Sequence, residues 1–164
     1  MSLAKQHHEA MVSKGFWEEP NLLEKKMLII SELGEAIEAH RKGRVCELNE
    51  GERTGLGTQE LFSKETFIAD FEKFVKDTYE DELADVVLRI WDYMEYTGQN
   101  GTGKAIKLKE NVGENLYKIT EAICKNQFIP AINAISVLCP NLDWHIKMKM
   151  AFNKTRPHKH GKSY

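Results

Sequence analysis

The chain has little of several things, and each scarcity excludes something. Its three cysteines, Cys46, Cys124 and Cys139, are odd in number and fit no zinc-ligand spacing. Neither a disulfide framework nor a zinc site is expected, and the thiols should be reduced. No apolar run approaches the roughly 20 residues of a membrane-spanning helix. The opening residues lack the charged-then-apolar order of a secretory leader, so a cytoplasmic protein with no membrane partner is expected. Charge of one sign is also missing: a formal net charge of -2 makes the chain as a whole no polyanion binder. Four prolines and few apolar–polar alternations leave little room for β-structure.

What is there suits one globular domain spanning residues 1–164. Hydrophobic residues make up 41% and charged residues 29%, far from a disordered composition. Helical spacing predicts a first helix from about Leu3 to Lys14, stopped at Gly15. A second starts after Pro20, near Asn21, and ends near Gly43; its apolar residues nearly encircle it, as in a central helix. Gly43, Gly51, Gly55 and Gly57, with charges between them, predict a long connection up to Ser63. Phe67, Phe71, Phe74 and Val75 then lie at helical spacing. Thr78 suits an N-cap, with Asp81 three residues on, and the helix it opens runs to about Thr97. Further helices are expected from Lys104 or Lys109 to Lys125, from Pro130 to Leu138, and from Asn141 to just before Pro157. The expected architecture is all-α, an antiparallel helical bundle. Its core spans about 16–97, a helical extension 103–156 and a basic tail 157–164.

Two acidic doublets stand out, Glu32-x-x-Glu35 and Glu82-x-x-Asp85. Residues three or four apart share a helix face, so each doublet projects two carboxylates from one side of its helix. Both are interleaved with apolar residues: Leu28 and Ala39 on the stripe of the first, flanked by Ile29 and Ala36, and Val86 on the face of the second, with Arg89 and Tyr93. Acid pairs at this spacing also occur at Glu35/Glu38, Glu47/Glu50, Asp77/Glu80 and Asp92/Glu95, and a lone pair ordinarily means a solvated face. The apolar setting distinguishes these two. Four carboxylates converging from two helices would repel strongly without a cation, which suggests a divalent metal such as Mg2+ and phosphate chemistry. Arg89, four residues after Asp85, is placed to pair with it or to touch a phosphate.

The stretches Glu32-Leu-Gly-Glu-Ala-Ile-Glu38 and Asp81-Glu-Leu-Ala-Asp-Val-Val87 resemble the signature of the MazG-like all-α nucleoside-triphosphate pyrophosphohydrolases. The likeness covers about Phe16 to Tyr96, and Lys149-Met-Ala-Phe-Asn153-Lys-Thr-Arg156 resembles the tail of some members. It departs at Ser31, where the family often has a further Glu, and in the 47 positions separating Glu35 from Glu82. The resemblance implies Mg2+-dependent hydrolysis of a nucleoside triphosphate between the α and β phosphates, with Mn2+ as a substitute ion. It implies Glu32, Glu35, Glu82 and Asp85 as metal ligands, with Glu38 or water filling the place left by Ser31. Glu32 or Glu35 would also handle the proton of the attacking water. A homodimer or homotetramer is implied as the assembled form.

His145, Lys149, Asn153 and Arg156 form one polar stripe on the last helix. Cations near a helix C-terminus are favourable in themselves; the family likeness gives Lys149, Asn153 and Arg156 a second use, holding phosphates and sugar. Trp17 offers a face on which a base could stack, although packing is the commoner use of tryptophan. Two rivals explain less. A nucleic-acid-binding protein using Arg41-Lys-Gly-Arg44 and the basic tail leaves the doublets without purpose. A non-catalytic scaffold would pair those acids with Lys25, Arg89 or a partner helix.

Overall fold

The computed structural model describes residues 1–156. The expected basic tail, Pro157 to Tyr164 with Lys159, His160 and Lys162, lies outside the described residues. Eight helices follow in order: α1 (Leu3–Ser13), α2 (Leu22–Arg41), α3 (Glu50–Phe62), α4 (Lys64–Phe74), α5 (Tyr79–Thr97), α6 (Val112–Cys124), α7 (Phe128–Leu138) and α8 (Leu142–Thr155). No strand occurs among the described residues, and none of their helices is long and apolar enough to cross a membrane. The all-α bundle read from the sequence is the fold observed.

The centre is α5, not α2. Leu83, Ala84, Val86, Val87, Leu88 and Ile90 are all buried on α5, because α1, α2, α7 and α8 surround it. On α2, Ile29, Leu33, Ala36 and Ala39 face the core, whereas Leu23 and Met27 stand 75% and 60% exposed. The all-round apolar pattern of α2 was therefore misleading about its position. Thr78 caps α5 as expected, its side chain accepting from the Asp81 N–H. Gly98 closes the helix in the left-handed conformation at φ 66, where a Cβ would be strained.

The connection expected between Gly43 and Ser63 is largely helix α3. The signal for it was present in Asn49-Glu-Gly-Glu52. Asn49 accepts from the Glu52 N–H at 3.0 Å and the Glu52 carboxylate accepts from the Asn49 N–H at 2.8 Å, a complete capping box. Each interior glycine costs a helix about 1 kcal/mol relative to alanine. Packing outweighs that cost: Leu56 joins Phe67, Phe71, Val75, Met148 and Phe152 in a second apolar cluster. The start of α6 also differs from expectation. Residues 99–110 are not helical; Asn111 caps α6, and the Asn115 amide holds the Lys109 backbone through both its oxygen and its nitrogen. Gly101, at φ 55, lies so close to Phe128 that a Cβ there would fall 2.7 Å from the Phe128 Cβ.

Candidate metal centre and its pocket

Helix α5 presents Glu82, Asp85, Arg89, Asp92 and Tyr96 at alternating steps of three and four, a single stripe along its length. Helix α2 packs beside it and contributes Glu32. Ligand oxygens of Glu32, Glu82 and Asp85 lie within 4.8 Å of one another. These are the three predicted carboxylates that the fold brings together. Glu35 is exposed and stands outside this cluster. Glu38 points elsewhere, paired with Arg41 at 3.3 Å and Lys42 at 3.0 Å.

Two cations already touch the cluster. Arg89 places both Nε and Nη2 at 2.6 Å from Glu32 Oε1. Lys149 bridges Asp81 Oδ2 at 2.6 Å and Asp85 Oδ2 at 2.8 Å. Burial opposes the charge on Lys149, but Asp85 and Asp81 more than offset it and hold the ammonium above the ordinary lysine range. Glu82 has no ion pair among the described residues. Burial first, then the carboxylates of Asp85, Asp81 and Glu32, push its carboxyl up to about 9 against the pull of Lys149. Burial likewise raises Glu32, with Arg89 opposing.

This donor set fits a hard divalent ion. It offers oxygen ligands only, from three converging carboxylates, one of which has no cation of its own. Glu82 gives a measurable consequence. An unfolded chain ionises Glu82 above its ordinary value of 4.5, while the folded protein keeps it protonated to about 9. Unfolding in that window releases a proton, so stability falls as pH rises. Thermal melting of metal-free protein should therefore show Tm dropping from pH 7 to pH 9, and Glu82→Gln should flatten that slope. A slope unchanged by the substitution would show that Glu82 is ionised throughout.

A pocket opens beside the cluster, lined among others by Asp85, Arg89, Lys25, Asn153 and Arg156. The polar stripe predicted on α8 is mostly internal: His145, Lys149 and Asn153 are buried. Asn153 Oδ1 is buried without a hydrogen-bond partner, an unusual state for a buried amide. Lys14 from α1 donates to the carbonyls of Asn153 and Arg156 and so ties off the end of α8. Burial pushes His145 down to about 4, with Arg53 and Lys149 adding to the effect.

Trp17 lines the pocket but is 91% covered, its relative exposure being 9%. One face stacks on Tyr96 at a centroid distance of 4.0 Å, and Lys25 Nζ lies 4.9 Å from its ring centre. Its indole N–H donates to Asp92 Oδ1 at 2.9 Å. The predicted stacking platform is thus taken up by the chain itself.

Several pocket and cluster residues had no role in the sequence reading. Asp81 is fully buried, and its candidacy as half of a capping box concealed its partnership with Lys149. Asp92 lies one further step along the stripe of Glu82, Asp85 and Arg89, so extending that stripe would have found it. His7 is buried at the pocket wall, and burial pushes its imidazole down to about 4 against the pull of Asp85. Nothing in the sequence pairs it with α5. The basic run Arg41-Lys42-Gly43-Arg44 is largely spoken for, since Glu38 takes Arg41 and Lys42 while Asp77 takes Arg44.

Fold and site together define an all-α protein with a carboxylate cluster beside a cation-lined pocket. Compared with known families, curated proteins and solved structures, the chain matches none.

Proposed function

We propose that the protein is a Mg2+-dependent nucleoside-triphosphate pyrophosphohydrolase, cleaving between the α and β phosphates to give a monophosphate and pyrophosphate. The observation that carries this is the convergence of Glu32, Glu82 and Asp85 within 4.8 Å, where Asp85 also lines a pocket with Arg89, Lys25, Arg156 and Asn153. Carboxylates for a cation and cations for phosphates stand side by side there, which a polyphosphate–metal complex needs.

Glu32, Glu82 and Asp85 would hold the ion, which when bound supplies Lewis acidity toward the phosphates. Arg89 and Arg156 then take phosphate oxygens; a guanidinium suits that task because it donates two parallel N–H groups. Glu35, exposed one turn from Glu32, would accept the proton of the attacking water. Asn153 meets the sugar or a phosphate with its unpartnered amide oxygen or its NH2 group. Lys149 acts from behind, holding Asp85 in place through its bridge to Asp81.

The test is a panel of canonical and modified NTPs and dNTPs with Mg2+ or Mn2+. Equal yields of nucleoside monophosphate and pyrophosphate are expected, with none in EDTA. Release of orthophosphate, or no turnover of any member, would reject the proposal.

A non-catalytic scaffold has one observation in its favour. Arg89 on Glu32 and Lys149 on Asp81 and Asp85 already neutralise much of the cluster. A scaffold would melt at the same temperature in EDTA and in Mg2+, whereas the proposed enzyme gains stability from the ion by mass action.

A further inference from the structure

Asp92 stands at the other end of the pocket from the carboxylate cluster. It lies seven residues beyond Asp85 on α5, about 10 Å along the axis at 1.5 Å per residue. That length is comparable with the reach from the α-phosphorus of a nucleotide to the outer edge of its base. The Asp92 side chain is only 13% exposed. His8 Nδ1 lies 2.6 Å from its Oδ1, and Trp17 Nε1 donates to the same oxygen at 2.9 Å. The acceptor sites of Oδ1 are thereby filled, while Oδ2 accepts no hydrogen bond from the described residues.

The carboxylate is also rigidly held. Trp17 is stacked on Tyr96, and the His8 ring meets Trp17 edge-on at 5.6 Å. Phe16, Trp17 and Tyr93 give the pocket aromatic walls next to Asp92. Beside them lies Asn153, buried, with an unpartnered oxygen. A fixed, acceptor-only group among aromatic side chains is what reading the edge of a planar heterocycle requires.

We infer that Asp92 reads the base of the bound nucleotide and that the base it selects is guanine. An ionised carboxylate only accepts hydrogen bonds. Guanine alone among the common bases sets two donors side by side, its ring N1–H and its 2-amino group, and Oδ2 has two acceptor sites for them. Adenine and cytosine present an amino group next to a bare ring nitrogen, whose lone pair would oppose Oδ2. Uracil and thymine flank their single N–H with two carbonyl oxygens. Burial raises the Asp92 carboxyl above its ordinary value, against the bonds from His8 and Trp17 and the charges of His8 and Lys25. The inference rests on the pyrophosphohydrolase reading only for where the phosphates lie.

The experiment measures binding of GMP, IMP, XMP, AMP, CMP and UMP to the full chain with Mg2+ by calorimetry, together with turnover of the matching triphosphates. GMP should bind tightest, and IMP, which lacks the 2-amino group, about tenfold more weakly, the scale of one lost hydrogen bond. Asp92→Asn keeps an oxygen for His8 and Trp17 but turns an NH2 group toward the base. That group matches the 2-oxo of xanthine and opposes the 2-amino of guanine, while it opposes N1–H in both, so the GMP/XMP preference should invert. A clamp that merely fastens α1 to α5 could lose affinity on substitution but could not reverse the order of GMP and XMP. Guanine-selective binding that inverts in the variant supports the inference even if no triphosphate is hydrolysed, in which case the pyrophosphohydrolase reading alone fails. Equal affinity across the bases, or tighter binding of AMP or UMP, overturns the inference even with brisk turnover. If Asp92→Asn does not fold, the wild-type panel decides by the same criterion.

Discussion

Asp85→Ala should lower the proposed turnover by on the order of 10⁴-fold, the scale for removing one member of a catalytic unit, while the helical fold survives. Two facts make this expected result clean. Asp85 is one of the three converging carboxylates, so the proposed ion would lose a ligand. Its other partner, Lys149, keeps Asp81 at 2.6 Å, so no buried cation is stranded. Glu82 loses a neighbouring like charge, which is a gain for metal-free protein. Far-UV circular dichroism should be unchanged, and the Mg2+-induced rise in Tm should vanish. Glu35→Ala separates two functions: if exposed Glu35 handles the proton, turnover collapses while the Mg2+-dependent Tm rise persists. Substantial activity remaining in either variant would remove that residue from the proposed site.

Lys149→Met should be the most destabilising single change near the site. Asp81 has no exposed surface, its Oδ1 has no hydrogen-bond partner, and its Oδ2 relies on Lys149 and the Asp77 N–H. Removing one member of a buried ion pair strands the other, at about 3–5 kcal/mol. Adding Asp81→Asn should restore much of the loss, because the stranded charge is then gone; urea denaturation of both singles and the double measures this coupling. The pH dependence has a definite sign. Burial raises the Asp81 carboxyl to about 6 even with Lys149 present, from an ordinary value of 3.8 in the unfolded chain. A raised carboxyl costs stability as pH rises through that window. Without the lysine the window extends higher, so the loss should be larger at pH 8 than at pH 5. Wild-type stability of Lys149→Met at both pH values would mean that Asp81 finds another partner.

The ion pairs at the cluster and the proposed chemistry place opposite demands on the same side chains. Arg89 stabilises buried Glu32 in the absence of a ligand, yet it also lines the pocket. In the proposed reaction Glu32 would serve as a metal ligand and the Arg89 guanidinium would turn to phosphate. Arg89 and Lys149 offset part of the cluster's charge, and Glu82 remains the member whose charge is least supported.

The sequence by itself determined the helices and most of their ends, because apolar spacing, caps and breakers are local. Asn21, Thr78 and Gly98 do their work within one turn of their own position. It also marked the doublets Glu32/Glu35 and Glu82/Asp85 as candidates, since i, i+3 spacing on an apolar face is a local rule. Only the tertiary structure decided which rod is central, that packing of Leu56 carries α3 past three glycines, and which charges meet. Glu35 left the cluster because the fold covers Ile29, Leu33 and Ala36 and leaves Glu35 on the outer side of α2. Lys149 with Asp81 lies 68 residues apart in the chain, and Asp92 with His8 lies 84 apart. Pairings at that separation depend on how α1, α5 and α8 pack, and no local pattern encodes them.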